Sequence, residues 1–294
     1  MSAVLVEAGP DQGAIWHFGQ PSNEQKLLIS GQAWVNLSHR SVITVAGADR
    51  LRWLHDITTQ DLENTPPNIW KPVLILDALG HIKFQFDFVD DGQISWLVVD
   101  SPYKDELIAF LNKMKFMLRV EIKDVSDEFS CIRIAGKPDG MGGPFKIVKR
   151  DEVNQSETEV GIWALEAERV AAGRARIGFE TDHKSIPNEL GFLNTSVHMK
   201  KGCYPGQETV AKINNLGTPP RKLVLLHLDG LNVDLPKVGD KVFDGEKEVG
   251  FIGTVVRHYE LGPIGLAVVK KNVPIENILI VDGISASQEA INKP

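Results

Sequence analysis

The chain has 294 residues, 43% of them hydrophobic and 24% charged, with 26 Gly and 16 Pro. That is an ordinary globular composition, which excludes disordered, collagen-like and coiled-coil chains, and at about 100–200 residues per domain it predicts two domains or three. The 39 acidic and 32 basic residues leave a net charge of −7, a field that gives no support to a nucleic-acid partner.

Cys131 and Cys203 are too few for a disulfide framework and form no CxxC pair, so a reducing cytoplasm is the expected compartment and no metal site is expected. Met1 to His17 carries Glu7, Pro10 and Asp11 and does not read as a signal peptide. No apolar run approaches the roughly 18 residues of a membrane helix, so no membrane partner is expected.

In chain order, Ala33–Leu37 and Val42–Val45 read as strands, and Asp49 is placed to cap a helix carrying Leu51, Leu54 and Ile57. Ile82, Phe84, Phe86 and Phe88 alternate with His81, Lys83, Gln85 and Asp87, the period of a half-buried strand. Asp91-Gly92 turns the chain into a return strand, Ile94–Val99. Ser101 then reads as the cap of a helix with the stripe Leu107, Leu111 and Met114, and strands are expected at Leu118–Val125 and Phe129–Ala135. Lys137–Gly143 reads as a loop and Asp151–Glu159 as a polar excursion. Ile162–Ala172 reads as a helix stopped by Gly173. Residues 174–200 show no sustained period, and long irregular stretches in compact domains are often functional. Past Thr218-Pro219-Pro220, short strands joined by Gly- and Asp-rich turns suggest a small antiparallel barrel or sandwich. The hairpins make the region an α+β fold, and the chain divides into 1–217 and 218–294.

The most informative stretch is Lys201-Gly202-Cys203-Tyr204-Pro205-Gly206-Gln207-Glu208. It packs a cation, a thiol, a phenol, an amide and a carboxylate into eight residues, with two glycines that allow close backbone approach to a ligand. Cys203 stands just before a helix start, where backbone N–H groups and Lys201 favour its thiolate.

This run resembles the Lys-Gly-Cys-Tyr-x-Gly-Gln-Glu motif of the YgfZ-type folate-binding proteins, relatives of the glycine-cleavage aminomethyltransferase (T protein) associated with iron–sulfur cluster assembly and repair. Leu37-Ser38-His39-Arg40 with Gly47-x-Asp49 resembles the opening of that superfamily, Glu168–Gly173 its helix end, and Ile186-Pro187-Asn188-Glu189 its Pro-x-Glu step. The resemblance covers residues 33–285. It implies three lobes, two α+β lobes interleaved in sequence and a C-terminal β-barrel, around a cavity for tetrahydrofolate or a one-carbon derivative. It further implies Cys203 as the functional thiol and Glu189 as the carboxylate for the pterin. Arg40 would meet the glutamate tail or a pocket acid, with Lys201, Tyr204, Gln207 and Glu208 as the wall beside Cys203.

One departure separates the relatives. Phe84 and Gln85 stand where the aminomethyltransferases carry an acid pair, and neither side chain titrates near neutrality. Asp87 lies on the face of Gln85 but about 6.6 Å along the strand. The expected function is therefore a tetrahydrofolate-binding accessory factor for iron–sulfur client proteins or their assembly machinery. The alternatives are a folate-dependent aminomethyltransferase, a one-carbon enzyme that needs a carrier protein, and a scaffold that retains the fold without the ligand.

Overall fold

A computed structural model describes residues 3–139, 141–230 and 234–291. Gly140 of the expected 137–143 loop lies outside them. Val4–Leu5 (β1) and Ile15–His17 (β2) pair as a ribbon ahead of the helix Pro21–Ile29 (α1). Ala33–Asn36 (β3) and Ser41–Ala46 (β4) lead into the helix Arg50–Ile57 (α2). Lys71–Leu76 (β5), Ile82–Asp90 (β6) and Ile94–Val99 (β7) form a meander, followed by the helix Lys104–Met114 (α3). Next come Glu121–Asp124 (β8), Phe129–Arg133 (β9), Phe145–Lys149 (β10), Thr158–Val160 (β11) and the helix Ile162–Ala171 (α4). After an irregular passage, the helix Gln207–Leu216 (α5) precedes six strands. These are Arg221–Leu228 (β12), Lys241–Asp244 (β13), Lys247–His258 (β14), Gly262–Lys270 (β15), Leu279–Val281 (β16) and Ile284–Ala290 (β17).

The strands assort into a four-stranded sheet, β10-β9-β3-β11, a five-stranded sheet, β5-β6-β7-β4-β8, and a closed barrel, β12-β15-β14-β13-β16-β17. Pairing is antiparallel throughout except between β11 and β3. The chain leaves the first sheet after β3, builds the second from β4 to β8, and returns at β9, so the two α+β lobes are interleaved. The link between β3 and β4, which carries Arg40, therefore sits where the two sheets meet.

Period-two burial explains the packing. On β6, Phe84, Phe86 and Phe88 enter a core with Trp53, Leu54, Leu97, Leu107 and Leu111, which fixes α2 and α3 on one side of the sheet. Each such side chain contributes about 1.5–3 kcal/mol by leaving water. On β12, Val224 and Leu226 fill the barrel interior, whereas Leu223 and Leu225 face the body of the molecule and meet Val170 of α4 and Val210 of α5 in one core. With both faces covered, β12 reads as a continuous apolar run rather than an alternating one.

Three local expectations change. The Asp49 side chain caps nothing. Its carboxylate accepts from the backbone and guanidinium of Arg119 at 2.7–3.0 Å, because the chain before β8 crosses directly over Gly47. Ser101 opens a 3-10 turn, not the helix, and its hydroxyl donates to the His39 carbonyl. The strand expected over Leu118–Val125 is only Glu121–Asp124, since Phe116 takes a left-handed φ of 43° and turns the chain.

Candidate functional site

A cavity of about 230 Å³ opens where the two sheets meet the segment that follows α4. It is smaller than the roughly 300–1,000 Å³ of typical small-molecule sites. A ring system fits inside, and a longer ligand extends through the mouth. Much of its wall comes from the irregular passage, through Arg174–Ile177, Leu190–Phe192 and Asn194–Ser196. The opposite wall is the polar face of β6: Gln85 and Asp87 are set two residues apart on a strand whose other face is core, and they point into the cavity. Phe145 and Phe192 supply aromatic surface.

The polar end of the cavity is an ion network. Arg176 reaches both oxygens of Asp100 at 2.8 Å and both oxygens of Asp11 at 2.6 and 2.8 Å. Arg169 is gripped by Glu166 at 2.8–3.2 Å and by Glu180 at 3.1 Å. Burial opposes ionisation of Asp100 and Glu166, but the neighbouring guanidinium groups outweigh it and hold both carboxyls below their ordinary range. Asp87 goes the other way. Burial pushes its carboxyl up to about 6, with Arg40 pulling it down and Asp100 pushing it further up.

Gln85 is committed to the backbone. Its Oε1 accepts from Ile177 N at 2.8 Å and its Nε2 points at Ala175 O at 3.4 Å, so the amide tethers the irregular segment to β6. An amide supplies the donor and the acceptor this tether needs, whereas an ionised acid only accepts.

Of the residues singled out from sequence, Arg40 lines the cavity, 3.5 Å from Asp100 and 4.0 Å from Asp87. Glu189 does not. Its side chain is 1% exposed and is held by Arg221, Nε to Oε1 at 2.9 Å and Nη2 to Oε2 at 2.8 Å, so the open pterin carboxylate expected there is a structural ion pair. Lys201 is buried, and its Nζ donates to the carbonyls of His55 and Thr58, which close the C-terminus of α2. Burial pushes its ammonium down to about 8. Tyr204 lies in the core, its ring 5.1 Å from Lys201 Nζ, and burial pushes its phenol up to about 12. Gln207 Nε2 is 3.5 Å from Lys201 O, and Glu208 is exposed in the first turn of α5.

The second glycine of the motif approaches backbone rather than a ligand. Gly206 adopts φ of 78°, and a Cβ there would lie 2.6 Å from Asp77 O and 2.7 Å from Gly80 Cα in the β5–β6 turn. Lys201, Tyr204 and Gly206 thus clamp the loop that presents Cys203, whose side chain is exposed and outside the cavity lining. Asp87, Asp100, Arg169, Arg174 and Arg176 also line the cavity and were not singled out as site residues. The alternation on β6 marked the face of Asp87. Nothing local marked the others.

No family model matches the chain. It is 24% identical over 251 residues to the iron–sulfur cluster assembly factor IBA57 homolog, mitochondrial, of Mycosarcoma maydis, a match covering 71% of this chain and 61% of that protein. It is 33% identical over 116 residues to the tRNA-modifying protein YgfZ of Buchnera aphidicola subsp. Schizaphis graminum, covering 37% of this chain and 35% of that one. Among solved structures, the glycine cleavage system aminomethyltransferase T from Bartonella henselae superposes with a TM-score of 0.81 at 14% identity, over 98% of this chain and 93% of that one. The three-lobed body and the closed C-terminal barrel give the chain a T-protein-like fold, and its sequence is similar to these IBA57 and YgfZ relatives.

Proposed function

We propose that this protein is a tetrahydrofolate-binding accessory factor for the assembly or repair of iron–sulfur proteins, with Cys203 as its functional thiol. The observation that carries the reading is the division of the site. A cavity with aromatic walls and a charged end is suited to a folate ring, and a separately clamped loop holds an exposed thiol available to a macromolecular client. The name of the relative from Mycosarcoma supports the iron–sulfur side of the reading, and the T-protein fold supports the folate side. Bound tetrahydrofolate would supply a carrier for a one-carbon unit. The residues of the chain would hold its ring end beside Phe145 and Phe192, with the tail at the mouth.

Against aminomethyl transfer stands Gln85, whose amide occupies the place of the transferase acid and is tied to Ala175 and Ile177. The deciding experiment is calorimetric titration with tetrahydrofolate, paired with complementation of iron–sulfur enzyme activity in cells. Wild type and Cys203→Ala should bind folate alike, because Cys203 is outside the cavity lining, while only wild type should support the enzymes. A wild-type protein without measurable folate binding would overturn the folate reading. Robust glycine-cleavage turnover with a lipoylated carrier would replace it with the transferase.

A further inference from the structure

Seven charged side chains line the cavity among the described residues: Arg40, Asp87, Asp100, Glu166, Arg169, Arg174 and Arg176. Five are spent on acid–base partners. Arg176 holds Asp100, Arg169 holds Glu166, and Arg174 donates to Glu168 at 2.9 Å. Arg40 and Asp87 are left. Their closest approach is 4.0 Å, beyond hydrogen-bond range, and the Asp87 carboxylate has no hydrogen-bond partner among the described residues. Arg40 Nε is buried without a hydrogen-bond partner, 3.5 Å from Asp100 Oδ1. Asp87 keeps 27% of its side chain exposed where it lines the cavity. An acceptor with open lone pairs and a donor fork with open N–H groups therefore stand side by side beside aromatic surface.

Two adjacent N–H donors match a carboxylate, and a neighbouring carbonyl oxygen matches a guanidinium. One edge of a 2-amino-4-oxo-pyrimidine ring carries those three groups in that order. We propose that Asp87 and Arg40 together read the pyrimidine edge of a reduced pterin, Asp87 accepting its N–H groups and Arg40 donating to its carbonyl. This rests on the folate reading above and reassigns the pterin contact from Glu189. It also moves Arg40 from the tail to the ring.

The contact is sensitive to pH. Asp87 is faced by Arg40 from the β3–β4 link, Asp100 after β7, Arg174 and Arg176 after α4, and Cys131 on β9. The neighbouring guanidinium groups hold Asp100 ionised and burial keeps Cys131 a neutral thiol, so Asp87 is the member of the group that titrates between pH 5 and 7. A proton on Asp87 competes with the N–H donors. Affinity is kept above pH of about 6 and falls toward tenfold per unit below it.

The test uses two probes, tetrahydrofolate and 6-methyltetrahydropterin, which lacks the benzoyl-glutamate tail, with wild type, Asp87→Asn and Arg40→Gln between pH 5.5 and 7.5. Each substitution should weaken both probes at least about tenfold at pH 7. The loss of wild-type affinity below pH 6 should be absent from Asp87→Asn, a difference that cancels proton uptake by the ligand itself. Undiminished binding by Asp87→Asn, or the same pH profile in both proteins, overturns the proposal. So does a loss confined to tetrahydrofolate, which would return Arg40 to the tail. If wild type binds neither probe, the folate reading itself fails and takes the pair with it. Should Asp87→Asn fail to fold, Arg40→Gln against the two probes still decides, and undiminished binding of 6-methyltetrahydropterin by it overturns the proposal.

Discussion

Arg221 forks Glu189, with Nε 2.9 Å from one carboxylate oxygen and Nη2 2.8 Å from the other. The pair fastens the turn Pro187–Glu189 to the first barrel strand, and Asp182 adds contacts to the same guanidinium at 2.6 and 3.1 Å. Removing one partner of a buried pair strands the other charge, so Glu189→Ala should cost about 2–4 kcal/mol of stability. At temperatures where the variant remains folded, its folate affinity should match wild type. A normal denaturation midpoint with lost folate binding would restore Glu189 to the ligand site.

The two thiols should separate cleanly on alkylation near pH 7. Cys203 is exposed just ahead of α5, whereas Cys131 is buried in β9 and its thiol is pushed by burial up to about 12. Thiolate is the reacting species, so Cys131 is limited by both access and ionisation. Mass spectrometry of the native protein should find Cys203 labelled first. Faster labelling of Cys131 would show that its strand opens readily.

Asp87 carries a stability cost that its substitution should reveal. Its folded carboxyl titrates at about 6, above the ordinary 3.8, so the folded state binds the proton more tightly and stability falls as pH rises through that window. At about 1.36 kcal/mol per pH unit, the penalty at pH 7 is at most about 3 kcal/mol. Asp87→Asn should therefore be the more stable protein at pH 7, with the advantage gone near pH 4. Equal denaturation midpoints at pH 7 would contradict this.

Arg176 should be the most sensitive position of the cavity wall. It sits among Asp11, Asp100 and Glu166, with both oxygens of Asp11 and of Asp100 in contact. Burial opposes ionisation of all three acids; hydrogen bonds from His39 and Arg176 to Asp11, and the arginine charges near the other two, hold them below the ordinary range. Their contribution is present above the ordinary carboxylate range and is lost as pH falls through their depressed values. Arg176→Met should cost about 3–5 kcal/mol and begin acid unfolding at a higher pH than wild type. Urea denaturation across pH 3–7 reads both effects, and coincident profiles would refute them.

Much of the scaffold was readable locally. The alternation of Ile82, Phe84, Phe86 and Phe88 placed β6, Asp91-Gly92 placed its hairpin, and Gly173 marked the end of α4. Missed elements lacked such signals. Strand β11 has three residues and β16 three, too short to show a period, and β5 carries Pro72 at its start. Helix α1 is weakly amphipathic, and its place is set by Glu24, whose carboxylate accepts from Phe18 N and Gly161 N.

The site divides along the same line. By itself the sequence determined the α+β hairpins, a C-terminal run of short antiparallel strands and the Cys203 motif, because periodicity, turn chemistry and a dense motif are properties of neighbouring residues; that those strands close into a barrel rather than a sandwich is decided by their pairing in the fold. It also determined that Gln85 and Asp87 share a face, but a period of two says only that a strand has two faces, not what covers them. What covers this one is the segment after α4, brought about 90 residues back along the chain to meet Gln85. Arg176 meets Asp11 from 165 residues away, and Glu189 meets Arg221 from 32. Those pairings, chosen by the packing of three lobes, left Asp87 and Arg40 open to the cavity and closed Glu189 away from it. Buried charges must find partners, and only the folded chain decides which ones are left without.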